Sequence, residues 1–153
     1  MEINELTERP NFKTDKKLYQ SYFQLNKLLI ELKTKPLSQE VINSINKDVD
    51  KINVASGSEK ELRKLMRKSL SRILKLIEKE HKLVTKNHYQ NIWLATGMAV
   101  FGLPFGVAFG FLLDNMAFLA IGLPIGMAIG IAVGNGMDKK AFEDERQIDI
   151  EIK

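Results

Sequence analysis

The sequence predicts an all-α protein, made of an N-terminal cytoplasmic bundle of three helices followed by a transmembrane helical hairpin. Apolar residues recur at helical spacing in the first ninety residues, two long stretches without charge follow, and glycine is concentrated in those stretches. The expected organisation is an N-terminal extension at 1–13, a three-helix bundle or coiled coil at 14–90, a hairpin at 91–137 and an acidic cytoplasmic tail at 138–153.

Charge is distributed unevenly along the 153 residues. Residues 1–91 hold 19 Lys/Arg and 12 Asp/Glu, whereas Asp114 is the one charged residue between 92 and 137. The mean hydropathy of -0.15 therefore averages two unlike halves. The chain has no Cys, which excludes disulfides, thiolate nucleophiles and Cys-based zinc sites. The first thirty residues are charged and do not predict a secretory signal peptide.

Two apolar stretches, 92–113 and 116–137, predict the hairpin. Each would form a helix of about 33 Å, enough for a hydrocarbon core of about 30 Å. Only Asp114 and Asn115 separate them, so the two helices are expected to run antiparallel. The alternative is one long helix buried in a soluble protein, but such a helix needs a polar face and this segment has none.

Basic residues flank the apolar segment, and the loop between its helices has none. The flanking cations are Lys75, Lys79, Lys82, Lys86, Lys139 and Lys140. By the positive-inside rule, both termini are expected in the cytoplasm and the hairpin tip outside, in the cell inner membrane. Tyr89 and Trp93 would then form an aromatic anchor at the cytoplasmic interface.

Glycine recurs at every fourth position in both apolar stretches. The expected helix-packing residues are Gly102, Gly106, Gly110, Gly122, Gly126, Gly130 and Gly134. Small residues let helix backbones approach closely in lipid, and this regular spacing is more than the general frequency of glycine in membrane helices predicts. A second small-residue stripe contains Ala120, Ala128, Ala132 and Gly136. We therefore expect two packing faces, one within the hairpin and one toward a neighbouring subunit.

An internal repeat relates the two apolar stretches. FGLPFGVAFGF at 101–111 returns as IGLPIGMAIGI at 121–131, and the hairpin inverts one copy relative to the other, as in transporters built from inverted repeats. Pro104 and Pro124 each remove a backbone hydrogen bond and loosen the helix near Val100 and Ala120. Both prolines are hinge candidates, and a fixed kink that serves packing is the simpler alternative.

These spans resemble the small bacterial glycine-zipper proteins with two transmembrane helices. The resemblance covers about residues 97–137 and rests on GLPFGVAFG and GLPIGMAIG. It implies tight helix packing and homo-oligomers, but no single function, because the class includes both pores and anchors. Rotary proton-carrying rings need a carboxylate at mid-membrane in the second helix, and residues 116–134 contain no ionisable group.

Three amphipathic helices are expected before the hairpin. The first runs from about Thr14 to Lys33, Ser38 caps the second, and Ser58 with Glu61 forms a capping box for the third. Because no Pro or Gly interrupts 58–96, the third helix is expected to continue into the first span. The alternative is a break near 87–91, where helix propensity is weak.

The third helix carries a strongly basic face, consisting of Arg63, Lys64, Arg67, Lys68, Arg72, Lys75, Lys79, Lys82 and Lys86. Three interpretations are open: a solvated face with the positive-inside signal, attraction of its membrane-proximal turns to anionic lipid headgroups, or a nucleic-acid or nucleotide partner. Nucleic acid is the least favoured, because aromatic residues are not interleaved with the charges.

The residues predict no enzyme, no cofactor and no metal site. His81 and His88 are about 10 Å apart along a helix, too far to share one metal ion. The glycines lack the Lys-Ser/Thr that follows a phosphate-binding loop. Two functions are therefore expected: a homo-oligomeric membrane assembly, a pore or permeabilising device controlled by the cytoplasmic helices, or an anchor that clusters the bundle and recruits a protein or anionic partner.

Overall fold

The computed structural model describes residues 2–9, 12 and 15–151, and within them the protein is all-helical apart from two strands of two residues each. The α-helices are α1 (Lys16–Lys33), α2 (Gln39–Val54), α3 (Glu59–His81), α4 (His88–Gly97), α5 (Leu103–Leu112) and α6 (Leu119–Glu143). A π-helical segment (Met98–Gly102) joins α4 to α5, and a 3₁₀ turn (Met116–Phe118) precedes α6. Strands β1 (Val84–Thr85) and β2 (Gln147–Ile148) pair with each other.

The chain divides into two compact units. The N-terminal unit comprises Met1–Val84 and Ile148–Lys153, and the hairpin unit comprises Thr85–Gln147. The division falls inside both short strands. The all-α prediction is confirmed, and the two long apolar helices pack against each other as a hairpin.

In the N-terminal unit, α1, α2 and α3 contribute to one hydrophobic core. Leu25, Ile45 and Ile77 are fully buried at its centre. The inward positions follow the expected helical spacing, because residues three and four apart lie on one face. The segment predicted to be an acidic tail also contributes Ile148 and Ile150 to this core. Burying these two side chains ties the end of the described chain to the first unit.

Residues 2–9 of the predicted N-terminal extension lie along α2 as an extended segment. The side-chain amide of Asn46 binds the backbone of this segment twice. Its Oδ1 accepts from the Asn4 amide at 2.7 Å, and its Nδ2 donates to the Glu2 carbonyl at 2.9 Å. Asn53, seven residues further along α2, likewise accepts from the Thr7 amide at 2.9 Å. Residues 1, 10, 11, 13 and 14 lie outside the described residues, and the expected helix start at Thr14 is one of them.

The extended segment also caps the C-terminal end of α2. The Arg9 guanidinium donates to the carbonyl oxygens of Ile52, Asn53 and Ala55 at 2.7–2.9 Å. The last carbonyls of a helix have no intrahelical donor, and a cation suits the negative end of the helix dipole. Arg9 therefore supplies the C-terminal cap that the sequence of α2 lacks.

The predicted capping box at the start of α3 is confirmed. Ser58 Oγ accepts from the Glu61 amide, and Glu61 Oε2 accepts from the Ser58 amide at 2.9 Å. The helix start at Ser38 is also confirmed in position, although the Ser38 side chain makes no capping bond.

The prediction that α3 continues into the first apolar helix is wrong. The helix ends at His81, and Lys82 adopts a left-handed backbone with φ 56°. Leu83 then turns into the hydrophobic core, and Val84, expected on the helix, lies in β1. Burial of Leu83 and Val84 is the physical reason for the stop. Asn87, also left-handed, precedes α4.

Candidate helix-packing site of the apolar hairpin

Two helices are long and apolar enough to cross a membrane, one at His88–Leu112 and one at Met116–Glu143. A soluble core helix with this composition would be mostly buried, but only 17% of the most apolar window of each helix is covered. The helices run antiparallel, because Gly106 near the end of the first meets Leu119 at the start of the second, and Gln90 meets Gly134.

All seven predicted packing glycines are buried, and they lie between the two helices. A Cβ atom added to Gly106 would lie 2.6 Å from the Leu119 carbonyl oxygen, and one added to Gly134 would lie 2.5 Å from the Gln90 Cα atom. Real Cβ atoms essentially never approach other heavy atoms within 3.0 Å. The two backbones are therefore in direct contact, which only glycine allows.

The backbones are also in contact at the middle of the hairpin. Gly126 faces Gly97 and Gly102 of the first helix, and its added Cβ would lie 2.5 Å from the Gly97 carbonyl oxygen. Gly102 in turn faces Gly122. Gly110, near the hairpin tip, is looser, since its nearest neighbour is the sulfur of Met116 at 3.3 Å. The seven glycines thus form one continuous interface within a single chain.

Gly97 belongs to the same interface, although the four-residue spacing does not include it. Its added Cβ would lie 2.7 Å from the Gly130 Cα atom. Gly97 and Gly102 are five residues apart, and the π-helical segment between them absorbs the extra residue, because a π-helix bonds i to i+5. The sequence contains this signal as a five-residue interval from Gly97 to Gly102, followed by four-residue intervals to Gly106 and Gly110.

Pro104 allows the π-helical segment to form. In an α-helix the Val100 carbonyl would accept from residue 104, but proline has no N–H to donate. Instead the Leu103 amide donates to the Met98 carbonyl, which is a π-type bond. The segment includes Val100, where the sequence predicted a loosened helix. Pro124 lies inside α6 without a π-helical segment, so the two copies of the repeat differ in local structure.

The second small-residue stripe faces away from the first helix. Ala120, Ala128, Ala132 and Gly136 are all exposed. A Cβ atom added to Gly136 would meet nothing within 4 Å. Two different faces of α6 therefore carry small residues, and only one of them is used inside the hairpin.

Asp138 closes the open end of the hairpin. Its two carboxylate oxygens accept from the backbone amides of Tyr89 at 3.0 Å and Gln90 at 2.9 Å, and the residue is only 8% exposed. The first amides of α4 have no intrahelical acceptor, so a carboxylate there satisfies them and matches the positive end of the helix dipole. Asn87, at the N-cap position, makes no such bond.

Asp138 was predicted to lie in an acidic tail, and its capping role was not predicted. The signal was present: Asp138 follows Gly134 by four residues and so continues the glycine register of α6. Beyond it, Arg146 pairs with Asp144 at 2.8 Å. The pairing with Asp144, together with a hydrogen bond to Tyr89, raises the pKa of the Arg146 guanidinium above its usual range.

A tight turn forms the hairpin tip. The Asn115 amide donates to the Gly110 carbonyl at 3.0 Å, and Asp114 adopts a left-handed backbone with φ 48°. This is the arrangement that commonly ends a helix with a left-handed residue. Asn115 Oδ1 then accepts from the Ala117 amide at 3.0 Å and starts the next helical turn. Two polar residues are therefore enough to reverse the chain.

The predicted basic face is not uniform. Lys64 and Lys68 are exposed on α3, whereas the Arg72 guanidinium contacts the buried Asp48 carboxylate at 3.0 Å. Lys82 and Lys86 lie beyond the end of α3, so they do not extend the face of that helix as predicted.

The remaining candidate residues form no reactive cluster. His81 lies on α3, and its Nε2 accepts from the Ser38 amide at 3.1 Å. Within residues 2–9, 12 and 15–151, no group of three or more His, Cys, Asp or Glu residues is placed to hold a metal ion. No protein-family model, curated protein or solved structure matches this chain.

Proposed function

We propose that this chain is an integral membrane protein in which the hairpin anchors and clusters the N-terminal helices, and that those helices, as a three-helix bundle, recruit a protein or anionic partner. The observation that supports this proposal is the position of the glycines. They face each other inside one chain, so that the outer surface of the hairpin is left to large apolar side chains.

Those outer side chains suit lipid better than water. Phe111 is 71% exposed and Leu112 is 80% exposed. Among the exposed large apolar residues of the two helices are also Val100, Leu103, Phe105, Val107, Ile121 and Val133. An apolar surface that extends along two whole helices exceeds the patches that soluble monomers usually expose.

The proposed topology places both termini in the cytoplasm and the hairpin tip outside the inner membrane. Because the chain has no Cys, single cysteines can be introduced without background. In intact cells, a membrane-impermeant maleimide should label Asn115→Cys, while Lys86→Cys should react only after the cells are opened. Labelling of Lys86→Cys alone in intact cells would show the opposite topology. Labelling of both variants in intact cells would contradict membrane insertion.

The second small-residue stripe is the proposed contact between subunits. Ala132 lies on this exposed face, and its small side chain would allow close approach of a second hairpin. In mild detergent, native mass spectrometry should detect an oligomer, and Ala132→Leu should dissociate it. Val133→Leu, a neighbouring change of apolar size on another face, is the matched control. A monomer in the unmodified protein would contradict the homo-oligomer.

A gated pore is the second candidate function. The π-helical segment before Pro104 supports it, because π-helical turns are frequent at functional sites. Residues 116–134 supply no charged lining, so the pore would have to be hydrophobic and gate by dewetting. Dye release from proteoliposomes, lost in Ala132→Leu and accompanied by a ring of five or more subunits, would favour the pore over the anchor.

A further inference from the structure

A half-open cavity of about 530 Å³ lies between α1 and α3 in the N-terminal unit. Its charged lining consists of Lys17 from α1 and of Arg63 and Arg67 from α3. Cavities of about 300–1,000 Å³ are the usual size of small-molecule sites. The cavity lies entirely within one unit and is separate from the helix-packing site of the hairpin.

The cavity has an excess of positive charge. No carboxylate is among its lining residues, and, among the residues that the structure describes, no ion pair involves Lys17, Arg63 or Arg67. The Asp15 carboxylate interacts with two of these cations, Arg63 and Lys17. It already accepts hydrogen bonds from the backbone amides of Lys17 at 2.7 Å and Leu18 at 3.2 Å.

The lowered pKa of the Asp15 carboxyl group agrees with this excess of positive charge. Hydrogen bonds from the Leu18 and Lys17 amides lower the pKa of its carboxyl group, and the charges of Arg63 and Lys17 lower it further. Elsewhere on the same helix the pattern is different, because Arg72 contacts the buried Asp48 carboxylate at 3.0 Å. Arg63 and Arg67 thus differ from Arg72, which lies on the same helix and is paired with a carboxylate.

The rest of the lining is mixed. Leu70, 7% exposed, and the half-buried Leu74 provide apolar surface. Gln20, Gln24 and Ser71 provide neutral donors and acceptors. A site that held only a bare inorganic anion would not need the apolar part. The combination fits an organic molecule with an anionic end.

We propose that this cavity binds a phosphate-bearing small molecule, with the phosphate on Lys17, Arg63 and Arg67 and the organic part against Leu70 and Leu74. Arginine suits this task because its planar donors match phosphate oxygens in pairs. The phosphate could come from a soluble compound or from a lipid headgroup, since both present the same chemistry. The proposal does not depend on the anchor function, because the cavity belongs to the N-terminal unit alone.

The test uses the full chain in nanodiscs of neutral phosphatidylcholine. Pyrophosphate and ATP are titrated by calorimetry at physiological salt. In a second preparation, whose nanodiscs also contain phosphatidylglycerol, retention of this lipid by the protein is measured by native mass spectrometry. Saturable binding of either soluble probe assigns the site to a soluble phosphate compound. Retention of phosphatidylglycerol without binding of the soluble probes assigns it to a headgroup.

Two double variants locate the binding. Arg63→Gln with Arg67→Gln removes two cavity cations and should weaken binding about tenfold or more, since hydrogen bonds to charged groups are strong. Lys64→Gln with Lys68→Gln removes the same charge from exposed positions of α3 outside the cavity, and should change affinity by about twofold through long-range electrostatics. Circular dichroism checks that both fold. Equal losses in the two variants, or no binding of any probe, would overturn the proposal.

Discussion

The helices within each of the two units are held together by opposite means. In the N-terminal unit, branched side chains such as Leu25 and Ile45 fill the space between helices and are fully buried. In the hairpin unit the space is absent, because glycine brings the backbones of the first apolar helix and α6 into direct contact. Removing atoms should therefore damage the first unit, and adding atoms should damage the second.

The largest effect is expected from Gly126→Leu. Its side chain would occupy the position of the Gly97 and Gly102 backbones, so the helices must separate. We expect a destabilisation of about 3 kcal/mol or more, at the upper end of what overpacking costs. The emission of Trp93 reports the change, because this residue is the one Trp of the chain and its backbone contacts Gly130.

Val133→Phe is the control for this change. It adds as many side-chain carbon atoms to the same helix, at a residue that is 38% exposed and belongs to neither small-residue face. Thermal unfolding in detergent, followed by Trp93 emission, should be nearly unchanged in Val133→Phe and shifted to lower temperature in Gly126→Leu. If both variants unfold at the wild-type temperature, the glycine contact does not hold the hairpin together.

The opposite experiment removes atoms from the N-terminal unit. Leu25→Ala should leave a cavity in the shared core and destabilise it by about 2–5 kcal/mol. Hydrogen exchange of the α1 amides measures this loss in the intact chain. Phe23→Ala removes a large side chain that is 54% exposed on the same helix, and should change exchange much less. A small effect of Leu25→Ala would indicate that α1 is not held by this core.

A smaller effect is expected at the end of the hairpin. Asp138→Asn keeps one acceptor for the Tyr89 or Gln90 amide but loses the other bond and the negative charge. Loss of a helix cap of this kind costs about 1 kcal/mol. Amide exchange in the first turn of α4 should accelerate about fivefold. Glu143→Gln, at an exposed position of α6, should leave this exchange unchanged.

The smallest effect concerns the start of α3 and depends on pH. Hydrogen bonds from Ser58 lower the pKa of Glu61 below its usual 4.5 in the folded chain. A carboxyl group with a lowered pKa stabilises the fold above its unfolded pKa, and this contribution is lost as the pH falls through the folded value. The protection of the Glu61 amide, taken relative to its intrinsic exchange rate at each pH, should therefore fall in acid. In Ser58→Ala this protection should be low already at neutral pH and respond less to acid.

Some of these features could be predicted from the sequence because they depend on local spacing. The capping box of Ser58 and Glu61 involves residues three apart, so their contact follows from helix geometry alone. Likewise, only Asp114 and Asn115 join the two apolar stretches, and a connection this short requires the second helix to run back along the first. In both cases the interacting residues are close in sequence.

The features that sequence reasoning missed depend on distant residues. Helix α3 stops because Leu83 is buried in a core built from residues up to Ile150, and Val84 is buried in β1. Asp138 caps a helix that begins fifty residues earlier in the chain. The bonds from Asn46 and Asn53 to the N-terminal segment cross more than forty residues. Spacing along one helix contains no information about such partners.

The π-helical segment has a consequence for the length of the chain. It holds one more residue than an α-helical path between Gly97 and Gly102 would need. Deleting one residue from 98–101 should convert it to α-helix and give the first helix a uniform four-residue glycine spacing, like that of α6. This is therefore a position where the hairpin can gain or lose a residue while its two arms stay in register.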